Sequence, residues 1–308
     1  MGFEEIIGQD LIRQSLARTL QQGQVAHAYL FSGPAGSGKK TMAHLFIQAL
    51  NCQDQGNPPC KQCLPCRKTA SGNHPGLTSL LPQGSYLKIE QVREIQESLH
   101  YRVGEGNWKV CLLHEADRLT LPAANSLLKI LEEPPADLVF VLLSSRPWAL
   151  LPTIVSRCAH FSLKPLPDGQ IRQLLQGRFS LSAREEEVIV EMAGGNPGRA
   201  VELAGQGGWE EKYTRIQQLV QEVENDSSLQ LFARAEEVSK QEDLEETLDL
   251  LFLFYRENWL RSLSAAGQGS YFLERICRAV LQTKDELSSN VNRRLALEAL
   301  FLKMRGVV

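Results

Sequence analysis

Gly33-Pro34-Ala35-Gly36-Ser37-Gly38-Lys39 is the first stretch of the chain whose residue types and spacing could do chemistry. Glycines at 33, 36 and 38 let a backbone curl around phosphate oxygens, with its N–H groups and a following helix N-terminus facing the anion. Lys39 would reach the β- and γ-phosphates, so Gly33-x-x-x-x-Gly38-Lys39 reads as a nucleotide phosphate loop. One position departs from that pattern. The residue after the lysine should carry a hydroxyl for Mg²⁺, and here it is Lys40. Thr41 comes one residue late, which on a helix is a rotation of about 100°.

The partner of such a loop is an apolar strand ending in Asp-Glu, where the Asp holds Mg²⁺ and the Glu polarises the attacking water. Val110-Cys111-Leu112-Leu113 runs instead into His114-Glu115, so imidazole stands at the Asp position and Glu115 is the remnant of a catalytic pair. A neutral imidazole brings no negative charge, and hard cations prefer oxygen ligands. Asp117 falls in the turn that follows, not in the metal shell. Two losses at one metal point to a site that grips ATP or ADP, holds magnesium poorly and hydrolyses slowly or not at all.

Four of the seven cysteines lie between positions 52 and 66: Cys52, Cys60, Cys63 and Cys66. Four thiolates at this spacing suit a closed tetrahedral zinc site, which is structural rather than catalytic. A redox dithiol would be one Cys-x-x-Cys pair beside a strand–helix junction. Pro58-Pro59 and Pro65 stiffen the connecting turns, and His74 reads as a loop residue rather than a spare ligand. Cys111, Cys158 and Cys277 stand alone.

The elements that must position these residues alternate. Leu11–Leu20 has a helical apolar stripe at Leu11, Ile12, Leu16 and Leu20; Ala28–Phe31 is a short apolar strand; Thr41–Leu50 reads as a helix. After a polar stretch come an amphipathic helix (Ile89, Val92, Ile95, Leu99), buried strands at Val110–Leu113 and Leu138–Leu143, and between them a helix over Ala123–Leu131 stopped by Pro134-Pro135. Strands separated by helices predict a parallel α/β sheet with helices on both faces. Beyond about residue 163 only helical signals remain, with breaks at Pro165, Pro167, Gly205, Gly207 and Gly208. An α/β unit, a small helical unit and a helical C-terminal unit are expected.

Composition fits this plan. The chain has 308 residues, 43% hydrophobic and 22% charged, with 33 Lys+Arg against 36 Asp+Glu for a net charge of −3. Disordered and collagen-like classes are excluded, and the near-neutral balance argues against a strongly basic nucleic-acid coat, though not against a local basic patch. The longest apolar run, Leu248–Tyr255, is interrupted by Asp249 and closed by Arg256, far short of the roughly 18–20 residues of a membrane span. Acidic Glu4 and Glu5 stand where a secretory signal would be basic, and Ile6 stands where myristoylation needs Ser or Thr; a cytoplasmic location is expected.

Seven segments together carry a resemblance. They are Ile7-Gly8-Gln9, His27-Ala28-Tyr29-Leu30, the cysteine cluster, Asn125 through Leu131-Glu132-Glu133-Pro134-Pro135, Ser156-Arg157-Cys158, Gly195-Asn196-Pro197-Gly198-Arg199, and Asn290 through Glu298. The chain resembles clamp-loader AAA+ ATPase subunits over nearly its whole length, with 205–285 adding only helical pattern. The resemblance implies an AAA+ P-loop domain with a zinc-module insertion (1–163), a helical lid (164–207) and an all-α collar (208–308). It implies that Arg157 is an arginine finger acting in trans on a neighbour's ATP, that Arg199 is the lid arginine called sensor 2, and that Ser144-Ser145 lie at sensor 1. It also implies partners: motor subunits (tau/gamma) and a delta subunit in a ring of five that places a sliding clamp on primed DNA. Lys40 and His114 fit the rigid, non-hydrolysing stator of such a ring. The alternatives are an active motor using Lys39, Glu115 and Thr41, and a zinc-bearing nucleic-acid binder acting alone. The last would need Lys and Arg gathered on one element with interleaved aromatics, a pattern the chain lacks.

Overall fold

A computed structural model describes residues 3–54, 56, 58–98, 108–264, 270–289 and 291–306; Leu99 and Asn290, named above, lie outside them. The chain forms two compact units, Met1–Gly177 with Gly195–Val201, and Arg178–Gly194 with Glu202–Val308.

The first unit runs α1 (Asp10–Gln22), β1 (Ala28–Ser32), α2 (Lys39–Leu50), α3 (Leu64–Ala70), β2 (Leu77–Leu80), α4 (Ile89–Ser98), β3 (Lys109–Leu113), α5 (Leu121–Glu132), β4 (Leu138–Ser144), α6 (Pro152–Val155), β5 (Ala159–Ser162) and α7 (Asp168–Gln176). All five strands are parallel, in the order β2-β3-β4-β1-β5. Successive strand residues point to opposite faces, and the sheet has a core on each. Tyr29, Phe31, Val110, Leu112, Val139 and Val141 pack with Ile12, Leu16, Met42 and Phe46 on one side. Ala28, Leu30, Cys111, Leu113, Phe140 and Leu142 pack with Val92, Ile95, Leu127 and Ile154 on the other. The central strands are therefore continuously apolar, as their sequences are.

Two strands have no apolar signature in the sequence. β2 (Leu-Thr-Ser-Leu) and β5 (Ala-His-Phe-Ser) are the sheet edges, half-exposed, and β2 lies in the stretch expected to be merely polar. The stripe of α1 also needs correction. Ile12 and Leu16 are buried, but Leu11 is 84% exposed, because the i, i+4 pair fills the available face. Helix α2 starts two residues earlier than its pattern suggests. Gly38 takes a left-handed N-cap conformation (φ 92°), which brings Lys39 and Lys40 into the first turn.

The second unit is helical: α8 (Ala183–Ala193), the later residues of α9 (Pro197–Gln206), α10 (Trp209–Asn225), α11 (Ser228–Ser239), α12 (Leu244–Ser264), α13 (Ser270–Ser288) and α14 (Arg293–Met304). Helix α9 passes through Gly205, and the break falls on Gly207 and Gly208, both at positive φ. Trp209 is fully buried and its indole N–H donates to the Leu203 carbonyl at 2.6 Å. Tyr213 Oη donates to Glu257 at 2.8 Å, while the Arg184 guanidinium covers the Tyr213 ring at 4.4 Å and pairs with the same carboxylate at 3.2 Å. The glutamate is thereby satisfied from two helices, which offsets the desolvation of a half-buried charge. Among the described residues no helix is long and apolar enough to cross a membrane.

The Phe46 ring is fully buried, 4.6 Å from the Tyr29 ring, and it joins α2 to the sheet. Phe46→Ala should lower the unfolding free energy by about 3–5 kcal/mol, measured as a shift of the urea midpoint at unchanged slope.

Candidate nucleotide site and metal centre

The parallel register sets the site. Ser32 at the end of β1 pairs with Ser144 at the end of β4, and Leu113 at the end of β3 pairs with Leu142. The residues just beyond, Gly33, His114 and Ser145, emerge along one carboxyl edge, and the Gly33 N–H donates to the Ser144 carbonyl at 3.2 Å. In the strand order the chain leaves β1 for β2 at the far edge, so this is the switch point where open α/β sheets bind ligands.

The loop itself fits a phosphate. Gly36 (φ 77°) and Gly38 (φ 92°) are left-handed, and α2 begins directly behind them. The Ser37 hydroxyl is buried without a hydrogen-bond partner. Lys39 Nζ donates to the Gly33 and Pro34 carbonyls at 2.7 Å each, internal acceptors that an anion can replace. Burial pulls the Lys39 ammonium below the usual lysine range, and the negative Asp117 pulls it back up. The outer side of the loop is pinned by the Gly195–Arg199 segment. Asn196 Nδ2 donates to the Ala35 carbonyl at 2.6 Å, and the Gly198 N–H donates to the Gly36 carbonyl at 2.9 Å. A Cβ on Gly36 would meet Asn196 Oδ1 at 2.4 Å. Arg199, half-buried in the first turn of α9, follows directly.

The cation side is different. Thr41 is exposed. Lys40 and His44 lie one turn apart on α2, and His114 faces them electrostatically. Burial, then the Lys40 charge, then His44 hold the His114 imidazole below its ordinary range, against a weaker opposite pull from Glu115. Burial and then Lys40 lower His44 as well. Glu115 adopts a left-handed backbone (φ 50°) and its exposed carboxylate pairs with Arg118 at 2.7 Å. Asp117, its side chain 5% exposed, accepts from Ser144 Oγ (2.9 Å), the Ser145 N–H (3.2 Å) and Arg146 Nε (3.1 Å). Burial alone would raise the Asp117 pKa, but these donors hold it below the usual carboxylate value. The donor set does not fit Mg²⁺: the local carboxylates are engaged elsewhere and the flanking groups are basic.

Arg157 stands apart, in the turn after α6. Its Nη2 pairs with Glu132 of the Leu-Glu-Glu-Pro-Pro segment at 2.9 Å, and its Nη1 donates to the Thr153 carbonyl at 3.1 Å. Guanidinium carries five donors, so the fork is oriented with N–H groups to spare. Glu132 belongs to one of the segments that carry the resemblance, but no spacing rule connects it to Arg157.

The cysteines converge. The Sγ atoms of Cys52, Cys60, Cys63 and Cys66 all lie within 4.8 Å of one another. Tetrahedral zinc with Zn–S of about 2.3 Å needs sulfurs about 3.8 Å apart, a difference that small side-chain rotations close. Cys52 follows α2 and Cys66 is buried in α3, where Gln48 Nε2 donates to its carbonyl at 3.1 Å. Lys61 takes a left-handed conformation (φ 61°), turning the chain so that the Cys60 N–H faces the Cys52 sulfur (3.3 Å) and the Cys63 N–H the Cys60 sulfur (3.4 Å). Those amides favour thiolate, and the Cys63 N–H leads in pulling the Cys60 thiol down to about 7. His74 is buried in the turn before β2, where its Nδ1 accepts from the Gly76 N–H at 3.1 Å; it is not among the clustered ligands.

Residues 8–167 match the model of the family described as DNA polymerase III, delta subunit. The chain belongs to that family. It is 29% identical to DNA polymerase III subunit delta′ of Bacillus subtilis, over 96% of this chain and 96% of that protein. It is also 33% identical to subunit tau of the same organism, over 61% of this chain but only 33% of tau. A gamma subunit-related protein of Thermotoga maritima has the same fold, with a TM-score of 0.50 at 20% identity over 95% of this chain and 98% of that one. The chain is thus a delta′ homologue of the clamp-loader family, related to tau, with the parallel α/β sheet and helical C-terminal part expected of it.

If the four thiolates hold one structural ion in this delta′ homologue, purified protein should contain one zinc per chain by atomic absorption. Cys63→Ser should lower that content and destabilise the unit by several kcal/mol, whereas Cys277→Ser should leave it at one.

Proposed function

We propose that this chain is the stator-like member of a clamp-loader ring, which lends Arg157 to ATP held by a neighbouring subunit while hydrolysing little or none itself. One observation carries the reading. The loop that cradles phosphate is intact, yet Lys40, His114 and the turned-out Glu115 stand where the magnesium and water-activating oxygens belong. A guanidinium with free donors, held by Glu132 and Thr153, suits the developing charge of phosphoryl transfer on another chain.

In this reading the partners are tau/gamma motor subunits and a delta subunit in a five-membered ring, which acts through that ring on a sliding clamp and primed DNA. Gly33, Gly36, Gly38, Lys39, Lys40, Thr41 and Arg199 line the nucleotide site, and the four cysteines hold structural zinc. The nucleotide-binding domain (1–163), lid (164–207) and collar (208–308) divide the work. A cytoplasmic location follows from the role.

The test is ATP turnover, alone and in a reconstituted complex with tau and delta subunits. The isolated chain should show negligible magnesium-dependent hydrolysis. Arg157→Ala should slow single-turnover hydrolysis at one neighbouring ATP site by about 10³-fold or more, without preventing assembly. Vigorous turnover by the isolated chain would instead make it a motor subunit, and an unchanged rate in the Arg157→Ala complex would remove the trans role.

A further inference from the structure

We infer that Lys40, beside His114 and His44, makes this a magnesium-independent site whose ligand is the free polyphosphate anion of a nucleoside di- or triphosphate. The inference rests on the nucleotide-binding reading above and adds what neutralises the bound phosphates. Two features show where the charge sits. Helix α2 begins at Lys39, so Lys40 is its second residue, on the first turn whose amides face the loop. His114 leaves the end of β3 in the same carboxyl edge, its backbone N–H donating to the Leu80 carbonyl at 2.9 Å.

The acids that could receive a divalent ion are committed. Glu115 is paired with Arg118, and both oxygens of Asp117 accept from Ser144, Ser145 and Arg146. Among the described residues the only group of three or more potential ligands able to surround one ion is the cysteine cluster. Mg²⁺ demands octahedral oxygen and gives up water reluctantly. Here it would meet an ammonium and two imidazoles instead. A polyphosphate finds the opposite: helix N-terminal amides, the unpartnered Ser37 hydroxyl, Lys39 released from its two carbonyls, and Lys40 as a second fixed cation. The chain carries its own counter-ion.

Titration of the full chain with fluorescent N-methylanthraniloyl ADP and ATP, in magnesium or in EDTA at equal ionic strength, tests this. Binding should be at least as tight in EDTA, because magnesium competes for the polyphosphate. Lys40→Ala, at an exposed position that should not disturb folding, should weaken the EDTA affinity about tenfold. The double variant Lys40→Ser with His114→Asp should become tighter on adding magnesium by about tenfold or more. Binding by the native chain only in magnesium would overturn the inference and leave the nucleotide reading standing, as would an EDTA affinity indifferent to Lys40→Ala. No binding in either buffer would overturn both.

Discussion

The parallel ladder between β1 and its neighbours β4 and β5 is the constraint on which the rest of the first unit depends. Parallel strands cannot be joined by a tight turn, so each connection must cross over and return, and every strand delivers its carboxyl end to the same edge. That is why the phosphate loop after β1, His114 after β3 and Ser144 at the end of β4 share one edge, whereas Arg157, just before β5, lies at the opposite, amino edge of the sheet. Shift one strand by a single residue and the two packed faces exchange. Tyr29 and Phe31 would then lose Phe46, and the loop would lose its support.

On that edge, charge placement decides what the pocket can do. A phosphate loop by itself supplies donors and a helix terminus, which suffice to hold an anion. Cleaving the anion also needs a cation and an aligned water, and the cation depends on oxygens at two positions. In this chain those positions carry nitrogen. The neighbouring acids then find other work: Glu115 neutralises Arg118, and Asp117 ties the end of β4 to Arg146. The arrangement is coherent, since a buried carboxylate left facing an absent metal would be costly.

The cysteine cluster and Arg157 show a similar economy of means. The cysteine cluster is placed where two helices meet a loop with little apolar content, so a bound metal would supply the organisation that packing cannot. Arg157 is anchored through two of its donors, enough to fix a rotamer, while the rest of its fork remains available. An exposed ion pair of this kind contributes little to stability. What it does is fix the direction of the side chain.

Much of this was legible in the chain itself. The phosphate loop, the four cysteines and the continuously apolar strands follow from residue type and spacing, because short-range geometry alone dictates them. The losses at Lys40 and His114 were equally plain, since each is a substitution within a local pattern. Tertiary structure decided what local pattern cannot encode. The edge strands β2 and β5, half-exposed and mixed in polarity, are strands only because a neighbour offers them a hydrogen-bond ladder. Asn196 grips a loop 161 positions away, Glu132 meets Arg157 across the end of α5, and Glu115 turns outward because its backbone enters the left-handed region. These depend on where the packed sheet brings distant segments together, which no periodicity in the amino-acid order records.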